Sequence, residues 1–353
     1  MKKIKPDEYF SNGLIEVARF GNTVATYNNM TEAQHKQWIS GLADLYTEEK
    51  EKIDAIIENI KEKLAKVDPL KLFNFLTSMN SMMLMSPELT TESEIPADTC
   101  FQLRSVEYVQ SLLVSMEHDK ANEIDKDKQE VVCHEIANLC LELYSKMPLF
   151  YMCWAAQQQK MGKLSQEDEE YIGLAQMMSQ VRGKQYQAFR IPILKELLLP
   201  HEALLQELYG LPVSDIISGL SVMEKNLSSG RCDAMKAIRE QMGKLVLSED
   251  SEPDEDYLKE SQEVVLKAIG TSLFEVKENT KWTDELISDL CLGIDSDKTF
   301  LSYEEYPGWP IWNLPIQYKP FIEIEGTIYC FDYYNLFDNF YVALQRAIRS
   351  HGK

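Results

Sequence analysis

The stretch that decides the fold class runs from Thr31 to Leu64 and reads TEAQHKQWISGLADLYTEEKEKIDAIIENIKEKL. Its start, Thr31 followed by Glu32 and Gln34, is typical of a helix N-cap, because a side-chain oxygen there can accept hydrogen bonds from the free amides of the first turn. The apolar residues that follow recur at the period of a helix with one buried face: Trp38, Leu42, Leu45, Ile53, Ile56, Ile57, Ile60 and Leu64. The stretch therefore predicts a long amphipathic helix.

Similar patterns fill most of the first 247 residues. Pro69 opens a second segment, from Leu70 to Met85, that is rich in leucine, phenylalanine and methionine. A third apolar stripe runs from Val132 to Met147, and we expect its helix to end at Pro148, because proline cannot donate the helical hydrogen bond. We predict a mainly α fold with a multi-helix N-terminal domain over residues 1–247.

The clearest boundary is the stretch 248–256, SEDSEPDED, which has six acids in nine residues. Such a stretch is costly to bury and predicts an exposed acidic linker. The remaining residues, 257–353, are predicted to form a small α+β C-terminal domain.

One β-hairpin signal lies in this domain, in the segment 321–331, FIEIEGTIYCF, where two short runs flank Glu325-Gly326. We expect Ile324 and Ile328 to share an apolar face, covered by the amphipathic helix predicted after the hairpin. Unpaired strand edges invite strand addition by a partner protein. The predicted partner-binding residues are Trp309, Trp312, Ile324, Tyr329 and Phe331.

The composition argues against several classes of function. A formal charge of −21, from 36 basic and 57 acidic residues, repels phosphate backbones and anionic membranes. The start of the chain has no apolar signal-peptide core, and the longest apolar run, Leu149 to Ala156, is far shorter than the ~20 residues that span a bilayer. The seven cysteines form no C-x-x-C pair, and thiols on a chain without an export signal indicate a reducing compartment. We therefore expect a cytoplasmic protein with a protein partner and no cofactor.

Cys133-His134-Glu135 is the first possible metal motif. A zincin helix needs a second histidine where this chain has Asn138. We interpret Cys133 and Cys140 as core residues and His134 as a surface residue, and we predict no bound metal.

Three further residues could carry catalysis. Asp254, Glu275 and Lys277 follow the order in which a nuclease of the PD-(D/E)xK type holds Mg²⁺ and activates water. The favoured interpretation is nevertheless a protein-interaction or regulatory module without catalytic activity of its own. A Mg²⁺-dependent nuclease-like enzyme is the alternative, and a structural subunit of an obligate oligomer is a third interpretation.

A resemblance covers about 70 residues of the C-terminal part. It rests on WTDELISDLCL from Trp282, on Pro310-Ile311, Pro315-Ile316 and Lys319-Pro-Phe-Ile322, and on Ile328-Tyr-Cys-Phe331 with Leu336-Phe-Asp-Asn339. This pattern resembles the non-catalytic region of large uncharacterised bacterial proteins that carry a restriction-endonuclease-like domain further on. The resemblance implies that this chain is the non-catalytic portion of a longer protein, or a stand-alone relative of it. It carries over no catalytic residue.

Overall fold

The structure is a computed structural model that describes residues 8–11, 13, 15–20, 23–28, 30–84, 97–120, 124–164, 187–246, 255–303, 307–310 and 314–352. The helices are α1 Glu32–Leu64, α2 Pro69–Leu84, α3 Ala97–Leu113, α4 Gln129–Lys160, α5 Gln187–Leu198, α6 Glu202–Tyr209, α7 Val213–Lys225, α8 Arg231–Val246, α9 Glu255–Ile269, α10 Val276–Asn279, α11 Asp284–Asp289 and α12 Tyr333–Ser350. The strands are β1 Glu8–Ser11, β2 Ile15–Phe20, β3 Thr23–Asn28, β4 Cys291–Gly293, β5 Phe321–Ile324 and β6 Thr327–Tyr329. The predicted mainly α fold with a small α+β C-terminal part is confirmed.

The two predicted helix starts are confirmed. The Thr31 hydroxyl accepts from the amide of Gln34 at 3.3 Å, and the Gln34 side chain accepts from the amide of Thr31 at 2.9 Å, which is the reciprocal capping box. At the start of α2, the Asp68 carboxylate accepts from the amide of Leu70 at 2.9 Å. Pro69 fits beside it because the first helical position needs no amide donor.

The expectation that Pro148 ends its helix is wrong. Helix α4 continues through Pro148 to Lys160. A proline inside a helix costs ~3 kcal/mol, and the burial of large side chains on both sides of it, including Met147 and Phe150, offsets that cost.

The residues group into two compact units, the first made of 1–55 and 145–181 and the second of 56–144 and 182–353. The second unit thus contains residues from both sides of the predicted linker at 248–256. Residues 248–254 lie outside the described residues, and Glu255 begins α9. The predicted division at this linker stays a prediction.

The first unit contains an antiparallel sheet of order β1-β2-β3 that was not predicted from the sequence. Its signal in the sequence was the dipeptide Gly21-Asn22 between two alternating runs. Within the same unit, Leu42 and Ala43 of α1 pack with Cys153 and Ala156 of α4.

The second unit is built around α3, whose side chains from Arg104 to Leu113 are all buried. Helix α2 packs against it. The Tyr108 hydroxyl donates to the carbonyl of Gly308 at 2.9 Å, and the Gln110 amide donates to the carbonyl of Pro320 at 3.0 Å. These bonds fix the segment that leads into the C-terminal sheet.

The C-terminal sheet has the order β4-β5-β6, with β4 parallel and β6 antiparallel to the central strand β5. The predicted hairpin is present, and its two turn residues, Glu325 and Gly326, have φ of 54° and 82°. Ile324 pairs with Thr327, and Ile328 pairs with Glu323. Directly paired residues share a face, so Ile324 and Ile328 lie on opposite faces, and the expectation that they share one is wrong.

None of the helices in the described ranges is both long and apolar enough to cross a membrane.

Candidate interaction surface

Four of the five predicted partner-binding residues belong to the core of the second unit. Trp309, Ile324, Tyr329 and Phe331 are all buried, while Trp312 lies outside the described residues. The ring of Phe331 stacks on Phe73 with centroids 4.4 Å apart and on Tyr329 at 5.1 Å. Because these four side chains are packed in the interior, a partner protein could not contact them in this fold.

The edges of the hairpin are also largely occupied. Strand β4 pairs along β5, so β5 is a central strand rather than an edge. Beside β6, the amide of Cys330 donates to the carbonyl of Phe274 at 2.9 Å, and Glu275 forms a β-bridge with Tyr329. Strand β4 was not predicted, because its three residues, Cys291–Gly293, are too short a run to give a strand pattern.

The possible nuclease residues are only partly described. Asp254 lies outside the described residues. The ammonium of Lys277 forms an exposed ion pair with Asp284 at 2.7 Å. Burial, followed by the nearby charge of Glu278, raises the pKa of Glu275. The described residues of this triad therefore show no metal-binding geometry.

The possible metal residues of α4 point in different directions. Cys133 and Cys140 are buried, and burial raises their pKa values to about 11 and about 12, so both thiols stay protonated near neutral pH. His134 is exposed, and the centroid of its ring lies 4.4 Å from the ring centroid of Phe75. In the described part of the chain, no three His, Cys, Asp or Glu residues are grouped so that they could hold a metal ion.

Helix α5 presents the strongest candidate interaction surface. One side of it packs against α7 and α12, where Leu194 and Leu198 are buried. Arg190 forms an ion pair with Asp338 of α12 at 2.9 Å. These contacts fix the helix on the second unit and determine which side is left to solvent.

Another side of α5, next to the packed one, carries three large apolar residues at four-residue spacing. Phe189, Ile193 and Leu197 are 61%, 54% and 41% exposed, and residues four apart lie on the same face of a helix. Leu199, just beyond the helix, is also exposed, but residues two apart do not share a helix face, so it lies away from these three. We call Phe189, Ile193 and Leu197 the α5 stripe.

The sequence held a signal for the α5 stripe. A helix that carries apolar residues on two sides is typically packed against other groups on both of those sides. Helix α5 has Leu194 and Leu198 on one side and the α5 stripe on another. Pro192 and Pro200 divide the region into short segments, for which no helical face was predicted.

A second exposed apolar group lies near the end of α9. Val265, Leu266 and Ile269 are exposed there, and the exposed Glu263 and Lys267 lie among them in the sequence. Charged residues interrupt both groups in the sequence, because the exposed Lys195 and Glu196 lie between Ile193 and Leu197 of the α5 stripe. The group on α9 provides a matched position for control variants.

One polar cluster in the second unit was also missed. The Asp289 carboxylate accepts from the Tyr209 hydroxyl at 2.9 Å and contacts Nε2 of His351 at 2.6 Å. Burial, together with Asp289, raises the pKa of Tyr209. The cluster ties the end of α12 to α6 and α11. Its three members come from elements that are far apart along the chain, so no local pattern could have shown it.

Comparisons of the chain with models of protein families, with curated proteins and with solved structures find no match. The C-terminal resemblance is therefore still an expectation.

Proposed function

We propose that the chain is a protein-interaction or regulatory module without catalytic activity of its own. The observation that supports this proposal is the α5 stripe. Leaving a side chain such as Phe or Leu in water rather than burying it costs ~1.5–3 kcal/mol, and clustered apolar side chains on a surface mark interaction sites. The stripe lies on a helix that is fixed by buried contacts, so a partner would meet a preformed surface.

The resemblance of the C-terminal part extends the proposal. On that ground, the chain is the non-catalytic part of a nuclease-associated bacterial protein. The described cysteines are free thiols, which supports a cytoplasmic location with reducing conditions.

The experiment compares captured proteins for two matched variants. Ile193→Asp places a charge in the centre of the α5 stripe, and Leu266→Asp places the same charge on the exposed side of α9. Both residues are exposed, so both variants are expected to fold with wild-type circular dichroism and melting temperature.

In quantitative mass spectrometry of affinity-purified protein, Ile193→Asp should lose specific partners at least tenfold, while Leu266→Asp should retain them. Equal partner recovery for all three proteins would refute the role of the α5 stripe. Loss of the same proteins in both variants would mean that the captured proteins bind any apolar surface.

The nuclease-like alternative makes a different prediction. It requires Asp254 and Glu275 to hold a divalent ion, with Lys277 beside them to position or activate water, so Mg²⁺ should raise the melting temperature in a way that Glu275→Ala abolishes. No such shift is expected if the chain is an interaction module. The described contacts of Glu275 and Lys277 do not favour the alternative.

A further inference from the structure

We draw no further inference here: the strongest candidate, the α5 stripe on the solvent side of helix α5, already supports the proposed function, and nothing in the described ranges shows which partner covers it.

Discussion

Gly219 lies on α7 at the point where the indole of Trp282 packs directly against the helix. A Cβ atom at this position would lie 2.3 Å from Nε1 of Trp282. The indole has little freedom to move, because its ring packs against Phe321 and Phe340 with centroids 5.8 Å apart in each case. Its N–H also donates to the carbonyl of Asp215 at 3.3 Å.

Gly219→Ala should therefore destabilise the second unit. Overpacking of a rigid core contact costs ~1–3 kcal/mol, and thermal denaturation should show a lower free energy of unfolding. Gly41→Ala is the matched control: Gly41 is exposed on α1 with no atom within 4 Å of the added Cβ. That change should stabilise the protein by ~0.5–1 kcal/mol. A Gly219→Ala protein as stable as the wild type would contradict the contact with Trp282.

Glu224 of α7 is a carboxylate whose environment makes it sensitive to pH. Burial raises its pKa above 4.5, and a hydrogen bond from the Tyr333 hydroxyl at 3.4 Å and the charge of Arg190 lower it in part. The folded state therefore holds this proton more tightly than the unfolded state does. Stability from this group is present at low pH and is lost as the pH rises through the folded pKa.

Glu224→Gln keeps an oxygen acceptor for Tyr333 and removes the half-buried charge. The variant should have a higher free energy of unfolding than the wild type at pH 7, and the difference should vanish near about pH 3, where both states are protonated. Urea denaturation at several pH values measures this difference. A variant that is less stable than the wild type at pH 7 would show that the attraction to Arg190 outweighs the cost of burial.

At the scale of the elements, the two-residue turn at Glu325-Gly326 determines which hairpin residues face the core. Ile324 is buried and shares its face with Thr327, whereas Ile328 is half-buried on the other face with Glu323. The two isoleucines are thus a matched pair on opposite faces of the same hairpin.

Ile324→Asp should destabilise the fold far more than Ile328→Asp does. An unpaired charge in the core lowers the free energy of unfolding by ~3 kcal/mol or more. A charge on the half-exposed face is expected to lower it by ~1 kcal/mol or less. Chemical denaturation of both variants measures the difference. Equal losses would mean that the register of β5 and β6 is shifted by one residue, because such a slip exchanges the two faces.

The same elements show what the sequence could predict. The cap at Thr31, the helix start at Pro69 and the hairpin turn at Glu325-Gly326 could be predicted from the sequence. In each case the interacting residues lie within a few positions of one another. The burial of Trp309 and the pairing of β4 depend on residues distant along the chain, so no periodicity reveals them. Aromatic residues alternating with acids have the same pattern at a docking face and in a small core.

At the scale of the whole molecule, the acidic stretch and the grouping of contacts point to different divisions of the chain. The sequence places a boundary at 248–256. In the second unit, however, α8 and α9, which flank this stretch, pack against each other. The buried Arg231 of α8 donates to the carbonyl of Ala268 at 3.1 Å and to Thr77 of α2 at 3.1 Å.

A cut in the acidic stretch distinguishes the two divisions. A site for a specific protease, inserted between Ser251 and Glu252, should be cleaved readily if the stretch is exposed, and resistance to cleavage would refute the predicted exposed linker. After cleavage, the two fragments should co-elute in gel filtration, because the contacts of Arg231 join elements on both sides of the cut. They should separate only in urea. Besides the bonds of Arg231, the side-chain amide of Asn74 donates to the carbonyl of Ile269 across the cut at 2.7 Å. Elution as two folded fragments without denaturant would mean that these contacts are too weak to hold the second unit together. It would support the division at 248–256 instead.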